Sequence, residues 1–155
     1  MRRAVLAAAA VLLTVGMAHA APARYVSQRS DNAYMREGPS YAHRILWVYK
    51  HRGYPFEVLA RYDIWRRVRA HDGTIGWMNA SVLSDRRTVL VTGRTRVPLY
   101  ADPEPNAKLV AYAMPGATAE VEACAIRSCR LRAPGLSGWI DKSRIWGVGK
   151  DEVFK

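Results

Sequence analysis

The sequence predicts an all-β protein made of two copies of one small antiparallel barrel or sandwich, preceded by a secretory signal peptide. Three observations indicate this: an apolar amino-terminal segment, a phrase written twice about 62 residues apart, and short β-type segments with turn residues every eight to twelve positions. After the amino-terminal segment, no long run shows the helical spacing of apolar residues. Short strands with regular turns are typical of small antiparallel domains.

The amino-terminal segment has the features of a signal peptide. Arg2 and Arg3 form a basic start, and residues 4–17 are apolar but too few for a comfortable membrane span. The following Ala-His-Ala is a small-x-small cleavage site. We therefore expect residues 1–20 to be a cleaved signal peptide, and the mature chain to cross the inner membrane into the periplasm without an integral membrane segment of its own.

The chain is strongly basic, with 24 Lys and Arg residues against 13 Asp and Glu residues and a formal net charge of +11. Loss of the two leading arginines lowers this charge to about +9. Because an exported protein rarely meets nucleic acid, we expect no nucleic-acid partner. The natural acidic partners are envelope polymers or anionic lipid head groups. Alternatively, the positive charge serves only to keep the protein soluble.

Two cysteines, Cys124 and Cys129, lie in the mature part of the chain with four residues between them. An even number of cysteines in an exported chain favours a disulfide. The spacing suits a hairpin in which the two residues face each other on adjacent strands, within reach of a bridge. Because the closed loop is short, we expect the bridge to fix a local hairpin and to add little to global stability.

The repeated phrase reads TIGWMNASVLS at residues 74–84 and LSGWIDKSRIW at residues 136–146. Upstream, AYMREGPS aligns with VPLYADPE, and RGYPFEV aligns with PGATAEV. The offset falls from 64 to 62 along the chain, as expected when loops lose single residues. A unit of about 62 residues is therefore present twice, joined by the linker at residues 84–94.

A longer motif runs through the first unit, from MREGPS through YPFEV and a Trp to DGTIGW and a final VLS. This pattern resembles the bacterial SH3-like domain. Its matching positions are Met35, Arg36, Gly38, Pro39, Gly53, Glu57, Val58, Trp65, Val68, Gly73, Gly76, Trp77 and Leu83. The second unit keeps fewer of them, namely Pro103, Gly116, Glu120, Val121, Gly138 and Trp139, and has no counterpart of the Trp65 indole.

The resemblance implies two SH3-like barrels in tandem, at residues 25–84 and, in diverged form, at residues 90–149. The repeated phrase would then be the closing strand and terminal turn of each barrel. Its glycine permits a close approach or a bulge, and its tryptophan fills the sheet face.

No catalytic constellation is apparent. His43, His51 and His71 are isolated in basic or turn surroundings, and the cysteines are expected to be oxidised. The sequence has no zinc-protease, phosphate-loop or serine-hydrolase motif. We therefore predict that the protein is not an enzyme and needs no cofactor or metal.

Binding is the function that remains, and its candidate surface lies in the first unit. Trp65 stands at the groove position of the SH3 fold, and Arg67 and Arg69 share its strand face by the two-residue period. Arginines beside aromatic rings suit carboxylate, phosphate or sugar-ring ligands. The full candidate set is Tyr34, Tyr41, Tyr62, Trp65, Arg67, Arg69 and Asn79.

Three interpretations of this surface stay open. The terminal turn has Asn79 and Val82 where peptide-binding SH3 domains carry Pro and Tyr, which argues against proline-rich ligands. The partner would then be a cell-wall peptide or glycan, or, alternatively, an envelope protein held by an adaptor. In a third interpretation, the rings simply cover a thin core.

Overall fold

The computed structural model describes residues 24–155, which form two antiparallel seven-stranded sheets without an α-helix. The predicted signal peptide at residues 1–20 lies outside these residues. Within the same part of the chain, no helix is long and apolar enough to cross a membrane. The all-β fold class is confirmed.

The two sheets have the same topology. The first contains β1 (Arg24–Gln28), β2 (Ala33–Arg36), β3 (Ile45–Tyr49), β4 (Pro55–Tyr62), β5 (Trp65–Arg69), β6 (Ile75–Asn79) and β7 (Leu83–Ser84). The second contains β8 (Thr88–Val91), β9 (Val97–Tyr100), β10 (Leu109–Ala113), β11 (Thr118–Cys124), β12 (Ser128–Ala133), β13 (Leu136–Asp141) and β14 (Ile145–Trp146). The strand order is β3-β2-β6-β5-β4-β1-β7 in the first domain and β10-β9-β13-β12-β11-β8-β14 in the second.

Each sheet wraps around a hydrophobic core of its own. In the first domain every strand contributes buried side chains, among them Val26, Ala33, Met35, Tyr49, Phe56, Val68, Met78 and Leu83. One cluster can receive residues from all seven strands only if the sheet curves. The second core contains Val89, Val91, Val97, Val121, Leu131, Ile140 and Ile145 together with both cysteines.

The glycine of the repeated phrase packs directly on the core. A Cβ atom at Gly76 would lie 2.4 Å from Cγ of Met35, and one at Gly138 would lie 3.0 Å from Cβ of Leu99. Met35 and Leu99 occupy matching places in β2 and β9. The phrase occurs twice because, in each domain, the residue that packs against Met35 of β2 or Leu99 of β9 must lack a side chain.

The predicted disulfide between Cys124 and Cys129 is confirmed. The two residues are direct partners across the β11–β12 hairpin. The backbone of Phe154 pairs with Cys124 through two hydrogen bonds of 2.8 and 3.0 Å. Backbone hydrogen bonds at Cys124 therefore attach the carboxyl-terminal segment to the hairpin that the disulfide closes.

Arg87 joins the two domains. Its guanidinium donates to Oε1 of Glu152 at 2.7 Å and to the carbonyl of Gly147 at 3.2 Å. It also lies 5.8 Å from the ring centroid of Tyr25 and 5.4 Å from that of Phe154. Because Tyr25 belongs to the first domain and the other three residues to the second, one side chain connects both.

Further contacts support the same junction. The hydroxyl of Thr88 donates to the carbonyl of Gly53 at 2.7 Å. Trp146 lies edge-on to Tyr25, with 5.5 Å between ring centroids, and 5.9 Å from the ring of His71. The domains thus meet through hydrogen bonds and aromatic packing, in addition to the short linker.

Replacing Glu152 with glutamine is expected to weaken this junction in a pH-dependent way. Burial raises the pKa of Glu152, but hydrogen bonds from Arg87 and the Gly149 N–H, with nearby positive charge, outweigh burial and hold the pKa below its ordinary value. A carboxylate with a lowered folded pKa stabilises the fold above its unfolded pKa, and this contribution is lost as pH falls through the folded value.

At pH 7, Glu152→Gln should lower the free energy of unfolding by about 1 kcal/mol, because the pair is partly screened by solvent. The difference from wild type should shrink as pH falls through the lowered folded-state pKa of Glu152. Urea unfolding at several pH values measures both effects. Glu104→Gln, at an exposed carboxylate, is the control. A Glu152→Gln difference that stays constant from pH 7 down to the acid range in which carboxylates are fully protonated would contradict the assignment.

Candidate binding face

The predicted site residues of β4, β5 and β6 share the outer face of the first sheet, opposite to its core. Tyr62 and Trp65 are direct partners across β4 and β5, and Trp65 and Asn79 are direct partners across β5 and β6. Residues directly opposite each other in antiparallel strands point to the same side of the sheet. These three residues therefore form one cross-strand row.

A second row runs parallel to the first. Arg36 of β2 is the partner of Trp77 in β6, and Trp77 is the partner of Arg67 in β5. We call Arg36, Trp77 and Arg67 the arginine–tryptophan row. Directly opposed residues have Cβ atoms about 4.5–5.5 Å apart. The row therefore places Trp77 between two arginine residues on the same face of the sheet.

The loop at residues 37–44 folds over this face. The ring of Tyr41 meets Trp65 edge-on, with 5.0 Å between ring centroids, and its hydroxyl accepts a hydrogen bond from Nδ2 of Asn79 at 2.9 Å. Arg36 Nη1 donates to the carbonyls of Tyr41 and His43 at 3.1 and 2.8 Å. The loop is thus fixed to the sheet by contacts within the chain, and an ordered loop loses less entropy when it binds a partner.

Trp65 and Asn79 support this face. Only 4% of the Trp65 surface is exposed, whereas Tyr41, which covers it, is 66% exposed. Oδ1 of Asn79 accepts from the N–H of Ser81 and so caps the 3-10 turn at Ala80–Val82. Because Nδ2 of Asn79 also donates a hydrogen bond to the Tyr41 hydroxyl, Asn79 holds the turn and the loop together. The burial of Trp65 fits the interpretation in which the aromatic rings serve to cover the sheet.

The remaining candidates lie around the edges of the face. Tyr34 is exposed on β2, and Tyr62 is exposed at the end of β4. Arg69 forms an ion pair with Glu57, with 2.5 Å between Nη2 and Oε2. Its charge is therefore compensated within the fold.

The arginines of the row keep an uncompensated charge. Within residues 24–155, neither Arg36 nor Arg67 has a carboxylate oxygen within 4.0 Å. Guanidinium groups bind carboxylate and phosphate through paired hydrogen bonds, and an indole offers a flat apolar surface beside them. The arrangement suits a ligand that carries both a ring and an anion.

Sequence reasoning did not assign Arg36 and Trp77 to this site. Arg36 was assigned only to the family pattern. Trp77 was assigned to the family pattern and to filling the sheet face. The two-residue period could have found them, since Arg36 follows Tyr34 by two positions and Trp77 precedes Asn79 by two.

The second domain carries a weaker version of the face. Its matching row is Tyr100, Trp139 and Arg130. Arg130 lies 3.5 Å from a carboxylate oxygen of Glu122, so its charge is compensated. The Trp65 position is taken by Ser128. The first domain therefore has the stronger candidate site.

A groove of about 830 Å³ lies between the two domains. Its charged lining consists of four arginines and one acid, which are Arg29, Arg52, Arg86, Arg132 and Glu120. No group of three or more His, Cys, Asp or Glu side chains in residues 24–155 is placed to hold a metal ion.

Two similar seven-stranded domains, each curved around its own core, define a protein built from small SH3-type β-barrels. A family model described as the bacterial SH3 domain matches residues 29–85 and 93–147. The chain belongs to the bacterial SH3 domain family, and the predicted tandem copies are confirmed. Domains of this family are binding modules of the cell wall.

Three solved structures are similar to the chain at low identity. NlpC2 from Trichomonas vaginalis is 12% identical, with a TM-score of 0.37, over 80% of this chain and 48% of its own. NlpC1 from Trichomonas vaginalis is 14% identical, with a TM-score of 0.38, over 89% and 50%. An NlpC/P60 family protein from Bacillus cereus is 14% identical, with a TM-score of 0.37, over 79% and 55%. The chain thus spans about half the length of these structures. No curated protein matches it.

Proposed function

We propose that this protein is an exported, non-enzymatic module that binds peptidoglycan through the arginine–tryptophan row of its first domain. The observation that carries the proposal is the placement of Trp77 between two arginines whose charge is uncompensated within residues 24–155. Membership of a family of cell-wall binding modules supports the same class of ligand.

The chemistry of peptidoglycan matches the row. Its sugar rings can pack on the indole, and the carboxylates of its stem peptides can accept hydrogen bonds from the guanidinium groups. The ordered Tyr41 loop extends the aromatic surface beside the row. The net charge of the chain adds a long-range attraction to an anionic polymer, which salt should weaken.

The expected result is that Trp77→Ala and Arg67→Gln each reduce retention on purified sacculi about tenfold, since each removes a contact worth roughly 1–2 kcal/mol. Trp139→Ala removes the matching indole of the second domain and is the control. Co-sedimentation at low and high salt, with a thermal melt of each variant, gives the measurement. Equal retention of wild type, Trp77→Ala and Arg67→Gln would refute the site.

A second candidate function is an adaptor between envelope proteins. The contacts of Arg87 favour it, because they fix the domains to each other as a scaffold requires. Cross-linking on live cells should then recover a protein partner, and sacculi should retain none of the chain.

A further inference from the structure

The two domains differ at one end of their barrels. In the first domain, Tyr49, Tyr54 and Phe56 form an aromatic cluster with ring centroids 4.8–5.3 Å apart. In the second domain, the three matching positions are all alanines, Ala113, Ala117 and Ala119. Three rings are thus replaced by three methyl groups within the same fold.

The backbone establishes the match at the first two positions. Tyr49 pairs with Ala33 as Ala113 pairs with Val97. The carbonyl of Tyr54 accepts from the N–H of Gln28 at 2.8 Å, and that of Ala117 accepts from the N–H of Val91 at 2.8 Å.

The third position follows from strand register. Phe56 pairs with Val26, and Ala119 pairs with Val89, at equivalent places in the two sheets. All three aromatic residues therefore have alanine counterparts.

The alanines leave an apolar pocket of about 220 Å³. Buried Val91, Leu99 and Leu131 also line it, as do Tyr112 and Met114, of which Met114 is 63% exposed. An apolar cavity of about 150 Å³ is large enough to bind benzene. The pocket can therefore accept one large apolar side chain.

Positively charged side chains lie on two sides of this pocket, at Tyr112 and in the groove between the domains. It shares Thr118, Ala119 and Ala133 with the groove between the domains, so the two spaces adjoin. The guanidinium of Arg96 lies 4.3 Å from the ring centroid of Tyr112.

The arginines of the groove outnumber its acids. Three of the four groove arginines have a carboxylate partner: Arg52 pairs with Asp31, Arg86 with Glu120 and Arg132 with Glu122. Arg29 in the groove and Arg96 beside Tyr112 have no carboxylate oxygen within 4.0 Å in the part of the chain that the structure describes. A ligand that fills the pocket would therefore place acidic neighbours near the uncompensated charges of Arg29 and Arg96.

We propose that this apolar pocket receives one large apolar side chain from an acidic, extended segment of a partner protein, whose carboxylates contact the arginines of the adjoining groove. The inference rests on the adaptor function and names the partner that this function requires. It is independent of peptidoglycan binding, which uses the outer face of the first domain. The small volume favours a single side chain over a long acyl chain.

Isothermal titration of the oxidised chain with the peptides acetyl-EEFEE-amide and acetyl-EEAEE-amide tests the proposal. The phenylalanine peptide should bind at least about tenfold more tightly than the alanine peptide, because a buried aromatic side chain contributes roughly 1.5–3 kcal/mol. A neutral peptide, acetyl-QQFQQ-amide, should also bind more weakly than the acidic one.

Ala119→Phe installs the residue of the first domain and should remove the preference for the phenylalanine peptide. Ala113→Tyr fills the same space from another strand and should act alike if the first variant fails to fold. Ile126→Phe, at an exposed hairpin position, should change nothing. Retention on sacculi should be unaffected by Ala119→Phe, so this proposal and peptidoglycan binding can fail separately.

Three outcomes would overturn the proposal. The first is equal binding of the phenylalanine and alanine peptides to wild type. The second is an unchanged preference in both filled variants. The third is binding of phosphatidylglycerol vesicles that Ala119→Phe abolishes, without peptide binding, since the occupant would then be a lipid.

Discussion

Phe56→Ala is expected to lower the free energy of unfolding of the first domain by about 3–5 kcal/mol. Phe56 is fully buried and packs against both Tyr49 and Tyr54, at centroid distances of 4.8 and 5.1 Å. Its removal loses the transfer free energy of the ring and leaves a cavity that the surrounding strands fill only in part.

Urea unfolding monitored by tryptophan fluorescence checks this value, because three of the five tryptophans lie in the first domain. Phe154→Ala is a useful control, since Phe154 is only partly buried against the second core and should cost less. A loss below about 1 kcal/mol for Phe56→Ala would mean that the aromatic cluster does not support the barrel as described.

Gly147→Ala is expected to cost about 2–4 kcal/mol, because strain and overpacking act together there. Gly147 has a φ of +122°, where side chains are strained, and a Cβ atom would lie 2.6 Å from the carbonyl oxygen of Thr88. The same atom would lie 3.2 Å from Cβ of Pro55 in the other domain. The substitution should therefore disturb the contact between the domains.

Gly135→Ala separates the two effects. Gly135 also has a positive φ, of +72°, but a Cβ atom added there would have no neighbouring atom within 4 Å. The substitution should cost only about 1–2 kcal/mol, through backbone strain alone. Urea unfolding of both variants gives the comparison. If the two losses are equal, the close approach at Gly147 contributes nothing.

Much of the fold could be predicted from the sequence because the determinants are local or repeated. Gly76 and Gly138 sit in a phrase that occurs twice, and each packs on the core in the same way. The spacing of the cysteines predicted a hairpin bridge that the structure contains. Strand periodicity also placed Trp65, Arg67 and Arg69 on one face.

The details of the site depended on contacts between distant residues. Trp65 is buried because Tyr41 packs on it, and the Tyr41 loop is held by Asn79, 38 residues away. No local pattern predicts that hydrogen bond. The same limitation applies to Arg87, whose partner Glu152 is 65 residues further along the chain.

The apolar pocket was missed for a different reason. The repeat was recognised from positions that the two domains share, whereas the pocket exists because they differ. Ala113, Ala117 and Ala119 carry no chemical signal as single residues. Their significance becomes clear only when strand register shows that they occupy the positions of three aromatic residues in the first domain.

The central claim is that the arginine–tryptophan row binds peptidoglycan, and an NMR titration tests it most directly. Soluble muropeptides would be added to ¹⁵N-labelled protein while the tryptophan indole N–H and arginine side-chain signals are followed. Binding through the row predicts the largest shifts at the Trp77 indole and at the guanidinium groups of Arg36 and Arg67. No shift at these three groups, or shifts confined to the second domain, would contradict the claim.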